Sequence, residues 1–338
     1  MVKLRLPRGV LAALPLLALT TCAPAVPTFP ELELEKLAEL AGKVDAERLM
    51  AHVRNLAESH QAESPLTCSD RERENYEPTC HLTRDNAREL MKKRLEALGL
   101  QVRLQEGEDS GFQVTNVVAE LPGTTRPEEV VLVGAHFDAF YMGADDNASG
   151  VAAVLELARV FSQYRFERTV RFVGFDLEER GFLGSTQLVN ALGGEHLTAA
   201  LVFDSIGYYD STPGSQTSIP GLPSPDTGDF LAAIGNDGSR QFVSELYELN
   251  RRLGLMKVVP IIAPGEGATP ISGNLMRSDH SPFWLTGRNA VFLTDTADFR
   301  NANYHTDKDV PETLSPEPFR QAVRVSAVSL AWWAGGPR

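Results

Sequence analysis

His136 and Asp138 close an apolar run over residues 131–135, and a short loop later Asp145 and Asp146 stand together at the start of another apolar segment. Glu178 and Glu179 follow the run 170–175, Asp204 follows Leu201-Val202-Phe203, and His305 sits between Tyr304 and Thr306. Short apolar runs of this length predict buried strands, and strands that each end in an acid or a His converge those side chains at one edge of a sheet. Two imidazoles with three carboxylates make a hard-to-borderline ligand set, suited to zinc and related divalent ions. The set suffices for two ions sharing one carboxylate and leaves Glu178 over as a base, so the expected chemistry is hydrolysis at a paired metal centre.

Each piece alone is ordinary. A His-x-Asp triplet arises by chance, Glu-Glu pairs mostly face solvent on helices, and Asp145-Asp146-Asn147 at a helix start reads equally as a cap favoured by the helix dipole. Repeated placement after apolar runs shifts the balance, because an unpaired charge there is expensive to hold. A cap explains one acid, not two acids and an amide in succession.

The elements needed to position these residues are legible as an alternation. Helical spacing of Leu34, Leu37, Ala41 and Val44, then of Leu49, Val53 and Leu56, predicts helix over residues 30–59. A second helix is expected over 83–98, with Thr83 as its N-cap and Gly99 as its stop. Strands are expected over 101–105, 114–121, 130–135, 169–175, 199–203, 258–262 and 289–293. Helices are expected over 148–164, 184–192, 239–253 and 315–333. Regularity fades between 205 and 273, and the Pro-, Gly- and Ser-rich stretch 211–229 predicts a long surface loop. The pattern implies an α/β domain with parallel inner strands. Its expected divisions are a targeting segment over 1–25, a helical part over 26–100, and a core over 101–338 in which 205–275 lines the pocket.

The chain has 338 residues, 43% hydrophobic and 23% charged, which is ordinary for a folded soluble protein with a sizeable core. A formal charge of −13 argues against a nucleic-acid partner, because phosphate binding needs a basic face. Lys3, Arg5 and Arg8 precede an apolar stretch, 10–19, that is too short to span a bilayer, which predicts an export signal. Two processing readings stay open: lipidation at Cys22 in Leu19-Thr20-Thr21-Cys22, where Thr21 departs from the usual small residue, or cleavage after Ala23-Pro24-Ala25. Export makes a Cys68–Cys80 disulfide the expected state of the other two cysteines. Closing so short a loop would stabilise by about 3 kcal/mol on the chain-entropy picture.

The segments His136-Phe137-Asp138, Gly143-Ala144-Asp145-Asp146-Asn147-Ala148-Ser149-Gly150, Glu178-Glu179-Arg180-Gly181-Phe182-Leu183-Gly184-Ser185, Asp204, Ser278-Asp279-His280 and Tyr304-His305-Thr306 resemble, in order, the co-catalytic di-zinc aminopeptidase family. Bacterial leucyl aminopeptidase and aminopeptidase Y are members; glutaminyl cyclases and glutamate carboxypeptidase II are relatives. The resemblance runs in order from about residue 110 to the C-terminus, and more loosely back to Ala46, but leaves out the stretch around Cys68 and Cys80. It implies a three-layer α/β/α sandwich around a mixed, mostly parallel sheet, and two Zn2+ as cofactors.

Carried over, the resemblance makes Asp145 the bridging carboxylate, completes one zinc site with His136 and Asp204, and completes the other with Glu179 and His305. Glu178 becomes the catalytic base, and Asp138 supports His136 by accepting from its far nitrogen. Asp146 and Asp279 are then expected around the metals rather than on them, with Asp146 shaping the backbone. Tyr208, Tyr209 and Tyr304 are candidates for oxyanion help. The implied activity is removal of N-terminal residues from peptides by an exported enzyme; the alternatives are a glutaminyl cyclase, a carboxypeptidase or dipeptidase, or a non-catalytic binding protein on the same fold. Loops 211–229 and 264–267 are expected to wall the pocket, with Ile219, Leu222, Ile261 and Ile262 at its rim, although Ile261 and Ile262 read equally well as strand core.

Overall fold

A computed structural model of the chain describes residues 27–218, 225–264 and 270–338. The targeting segment with Cys22, and the rim candidates Ile219 and Leu222, lie outside the described residues, as does most of the turn 264–267.

The described residues begin with helices α1 (Glu31–Gly42), α2 (Ala46–Gln61) and the short α3 (Asp70–Asn75), followed by strand β1 (Leu82–Thr83) and helix α4 (Asp85–Ala97). A hairpin, β2 (Gln101–Asp109) and β3 (Phe112–Leu121), leads into β4 (Arg126–His136) and the two-residue β5 (Ala139–Phe140). The alternation α5 (Gly150–Phe161), β6 (Arg168–Phe175), α6 (Leu183–Leu192), β7 (His196–Phe203) follows. The C-terminal part adds β8 (Leu231–Asn236), α7 (Arg240–Leu253), β9 (Val258–Ala263), α8 (Ser281–Leu285), β10 (Ala290–Thr294) and α9 (Pro316–Trp333).

Among the described residues, eight strands form one sheet in the order β2-β3-β6-β4-β7-β10-β8-β9. Pairing is parallel across β6-β4-β7-β10 and between β8 and β9, and antiparallel across β2-β3-β6 and between β10 and β8. Successive strand residues face opposite sides, and the two faces bury different partners. Val131, Val133, Ala135, Leu201 and Phe203 pack with α1, α2, α4, α5, α7 and α9 in one core. Leu132, Val173, Phe175 and Val202 pack on the other side with Leu188 and Val189 of α6 and with Phe283 and Trp284 of α8. The result is the expected α/β/α sandwich, mixed and mostly parallel at its centre.

Two features position the site. β4 lies between β6 and β7, so the chain leaves β4 to one side, crosses back over it, and opens a crevice at the carboxyl ends of these strands. The register then levels the strand ends: His136 pairs with Phe175 and Ala135 with Phe203, which puts His136, the start of the Glu178 turn and Asp204 at one edge.

Two expectations need correction. Thr83 does not cap α4; it belongs to β1 and pairs with Ala139, and Arg84 holds the cap position without a side-chain bond. The region 205–275 holds, besides the expected helix and strand, an unexpected strand, β8, paired with β9 and β10. Its run Leu231-Ala232-Ala233-Ile234 is apolar but lacks the β-branched enrichment that marks a strand in sequence. Leu201 is fully buried in a central strand, so Leu201→Ala is expected to lower unfolding free energy by about 2–5 kcal/mol, read from urea denaturation of wild type and variant.

Candidate metal centre

His136 is the last residue of β4, and its ring is buried. Its Nδ1 donates to the carbonyl oxygen of Asp138 at 3.0 Å when Nε2 is left free to face a cation. That Nε2 points to Asp146 Oδ1 at 3.3 Å and to Asp204 Oδ1 at 3.8 Å. On the far side of Asp146, Oδ2 lies 2.9 Å from His305 Nε2, and the same nitrogen lies 3.0 Å from Glu179 Oε1. Two clusters result, His136–Asp146–Asp204 and Asp146–Glu179–His305, each with its donor atoms within 4.8 Å of one another. They share one carboxylate.

That shared residue is Asp146, not Asp145, and the expected bridging role moves by one position. Between Gly143 and α5 the backbone departs from helix at Asp146 (φ −108°, ψ 92°) and Asn147 (φ −134°, ψ 37°), so neighbouring side chains diverge. Asp145 turns inward: Gly207 N donates to its Oδ1 at 2.9 Å and Asn301 Nδ2 to its Oδ2 at 2.9 Å. Asp146 turns to the imidazoles. The turn needs Gly143, whose φ is +50° and where a Cβ would lie 2.5 Å from the Asp146 carbonyl oxygen.

Glu178 and Glu179 occupy a tight turn after β6, between Leu177 at φ 54° and Gly181 at φ 98°. Asp138 fixes this turn, since its carboxylate accepts from Glu178 N at 3.0 Å and Glu179 N at 3.2 Å. Its carboxylate is 3.5 Å from His136 Nδ1, farther than its own carbonyl, so Asp138 supports His136 through the main chain and the two glutamates through the side chain. Glu179 joins a cluster; Glu178 belongs to neither and is buried beside them. Burial pushes Glu178 well above the usual carboxylate range, opposed by His136 and reinforced by Glu179, Asp204 and Asp279. Asp279 is fully buried, and burial, opposed by His136, carries it up to about 7. His280 is packed between Phe292 and Trp284 and is structural.

The donor atoms fit a cation. His136 Nε2, Asp146 Oδ1, Glu179 Oε1 and His305 Nε2 are buried yet make no hydrogen bond of acceptable geometry. Orphaned buried polar atoms are rare, and leaving one unsatisfied costs about 1–3 kcal/mol. These four fall in the two clusters, where positive charge would satisfy them, and their nitrogen and oxygen donors suit zinc.

Sequence reading missed Asp309, Asn301 and Tyr76. Asp309 accepts both Asp145 N at 2.9 Å and Asp146 N at 3.1 Å, and so holds the turn that carries the shared carboxylate. It stands in a polar stretch with no apolar run before it, so nothing in the sequence marks it. Of the three tyrosines, Tyr304 stacks on His305 with centroids 3.8 Å apart and lines a cavity beside Asp204. Ile261 lines the same cavity, whereas Ile262 packs into the core. Loop 211–218 reaches the cavity wall through Thr217 N, which donates to Phe299 O at 2.8 Å.

Two outcomes follow. Asp146→Asn should abolish high-affinity metal uptake at both clusters, while Asp145→Asn should leave both ions bound with affinity reduced about 10- to 100-fold, measured by chelator competition. In the chelated protein, burial and then Asp146 carry Glu179 from 4.5 up to about 7, and Asp279 rises from 3.8 to about 7. His305 rises from 6.5 to about 12, because Glu179 and Asp146 outweigh its burial. Each group binds its proton more tightly folded than unfolded, so its contribution is present below the unfolded value and lost as pH rises through the folded one. Thermal melts of chelated protein should therefore fall from pH 5 to pH 8, and saturating zinc should suppress that fall.

Residues 116–330 match the family model described as peptidase family M28. The chain is 31% identical over 252 residues to the uncharacterized protein YfbL of Escherichia coli (strain K12), covering 70% of this chain and 76% of that protein. It is 34% identical over 256 residues to a probable zinc metalloprotease of Pyrenophora tritici-repentis (strain Pt-1C-BFP), covering 66% of this chain and 58% of that protein's length. Among solved structures, an aminopeptidase from Aneurinibacillus sp. strain AM-1 superposes with a TM-score of 0.64 at 15% identity, over 89% of this chain and 97% of the other. A glutaminyl cyclase of Porphyromonas gingivalis gives 0.59 at 17% identity, over 85% and 98%. These two likenesses establish the fold. With its ordered motifs and a family match over residues 116–330, this chain belongs to peptidase family M28.

Proposed function

We propose that the chain is an exported, zinc-dependent aminopeptidase that removes N-terminal residues from peptides, with Glu178 as general base. The observation that carries this reading is the sharing of Asp146 between His136–Asp204 and Glu179–His305, with Glu178 buried alongside but outside both clusters. His136, Asp146 and Asp204 would hold one ion, and Asp146, Glu179 and His305 the other. When bound, such ions polarise a carbonyl and bring the pKa of water towards neutrality.

The remaining work falls to the protein's own groups. Glu178 takes a proton from the attacking water and passes it to the leaving amine, a task suited to a carboxylate whose affinity for a proton is raised by burial. Asp138 holds the backbone amides of Glu178 and Glu179, so the base and its metal-binding neighbour keep a fixed relation. Beside Asp204, a cavity whose wall includes Ile234, Ile261, Leu275, Phe292 and Phe299, together with the paired charges of Arg277 and Asp298, supports preference for an apolar N-terminal side chain.

Export rests on the N-terminal sequence and is compatible with the Cys68–Cys80 disulfide. The mature protein is then either lipid-anchored through Cys22 or released after Ala25. Peptides are the proposed partners, and the acidic charge disfavours nucleic acid.

Purified mature protein should release nitroaniline fastest from leucyl and phenylalanyl substrates, lose that activity with chelator, and regain it with zinc. Ammonia release from a glutaminyl peptide without nitroanilide hydrolysis would instead establish the cyclase reading. Glu178→Gln should keep both ions and lower kcat by about 10²- to 10⁴-fold, the usual range for general-base removal. Glu179→Gln should lose one ion. Metal analysis showing the reverse pattern would exchange the two roles.

A further inference from the structure

The two histidines of the candidate metal centre are held in different ways. His136 is steadied from two residues away, by the Asp138 carbonyl at its Nδ1. His305 has its neighbour Tyr304 stacked on the ring face, but among the described residues no local hydrogen-bond partner for Nδ1. It sits in the long connection between β10 and α9 with φ at 57°, a backbone conformation that L-residues rarely adopt and that needs outside support. Its Nε2 faces Asp146 and Glu179, and its Nδ1 meets the hydroxyl of Tyr76, 229 positions earlier in the chain. Phe140 closes a third side of the ring, edge-on with centroids 4.6 Å apart.

Tyr76 comes from the disulfide-bearing stretch that the family motifs leave out. That stretch has little core of its own: α3 buries none of its residues, and Tyr76 itself is 45% exposed. Its shape comes from other bonds. Cys68 and Cys80 are joined, with α-carbons 4.8 Å apart. Ser69 and Glu72 form a capping box at the start of α3, Tyr76 N donates to Glu72 O at 2.7 Å, and Thr79 Oγ1 donates to Tyr76 O at 2.8 Å.

The stretch is also tied to the metal centre at two points. Glu72 pairs with Arg180, the residue after Glu179. Leu82 pairs with Phe140, and the Tyr76 ring meets Phe140 edge-on at 5.9 Å. Glu179 and His305, the two residues nearest these attachments, belong to the same cluster. The His136–Asp146–Asp204 cluster receives no comparable contact from this stretch among the described residues.

We propose that Tyr76 is a positioning residue for His305, and that the Cys68–Cys80 bridge holds it there as a strap over one half of the metal centre. When Nε2 offers its lone pair to a cation, Nδ1 carries the proton and donates it in a hydrogen bond to the Tyr76 oxygen. This fixes both the tautomer and the plane of the ring. The dependence is one-sided: the cluster with Glu179 and His305 needs the strap, and the cluster with His136 and Asp204 does not. The inference rests on the reading of His305 as a metal ligand.

The test compares zinc binding by chelated wild type, Tyr76→Phe, Cys68→Ser/Cys80→Ser and His305→Ala, using chelator competition that resolves two sites. Tyr76→Phe keeps the ring and removes only the hydroxyl, so it should weaken one site about 10-fold or more and leave the other at its wild-type affinity. The weakened site should be the one that His305→Ala eliminates. The double serine variant should shift the same site in the same direction, with the melting temperature of the chelated protein checked alongside. Nitrogen-15 shifts of the His305 ring should report a single Nδ1-protonated tautomer in zinc-loaded wild type and a mixture in Tyr76→Phe at the same zinc concentration. Equal affinities in wild type and both strap variants, or an equal loss at both sites, overturn the inference alone. Wild type that binds zinc only at the site His305→Ala leaves intact overturns the two-ion reading and the inference with it.

Discussion

A carboxylate held between two imidazoles inside a protein is the constraint on which the rest of this structure depends. Asp146 offers one oxygen to His136 and the other to His305, and the three groups are shut away from most solvent. At an effective dielectric near 20, opposite charges about 4 Å apart attract by about 4 kcal/mol, and like charges repel as strongly. Glu179 and Asp204 crowd acidic charge around the same point, so without cations the site is a compromise. The raised proton affinities of Glu179 and His305 are its signature. A site of this kind cannot rely on its own members for rigidity, and the surrounding protein must hold it.

The support comes in layers, each from a different part of the chain. Parallel strands β6, β4 and β7 bring three strand ends level, and the sidedness of their residues seals both faces. Beneath the centre, Asp309 takes the amides of Asp145 and Asp146, and Asn301 and Gly207 fix Asp145. Asp145 and Asp309 are both pushed up, Asp145 to about 6, because burial weakens their hold on charge. From above, the disulfide-bearing stretch reaches over to His305. Glu178, the proposed base, stands where these layers meet and is held through its backbone by Asp138. Catalysis by positioned groups gains from this arrangement, because no reorganisation is needed when charge develops.

Much of this was legible before any coordinates. The runs 130–135, 169–175 and 199–203 marked the central strands because continuous apolar residues of strand length have only a doubly covered sheet to enter. The residues that follow them identified His136, Glu179 and Asp204, since polar groups placed after buried strands must lie at the sheet's edge. Glu178 stood out through its neighbour. The strand β8 escaped notice because alanine and glycine carry little strand preference, and its place was decided by β9 and β10 on either side.

What the sequence determined by itself is therefore the set of chemical types, the order of elements and the edge at which they meet, because these follow from local patterns of hydrophobicity. Tertiary structure alone decided which of two adjacent aspartates is shared. That choice turns on backbone angles at Asp146 and Asn147, which Gly143 permits at the start of the motif and Asp309 holds from outside it. The partner of His305 was likewise beyond local reading, because a contact across 229 positions leaves no periodicity in the chain. Side-chain chemistry is written residue by residue. Side-chain direction is set by whatever the fold places alongside.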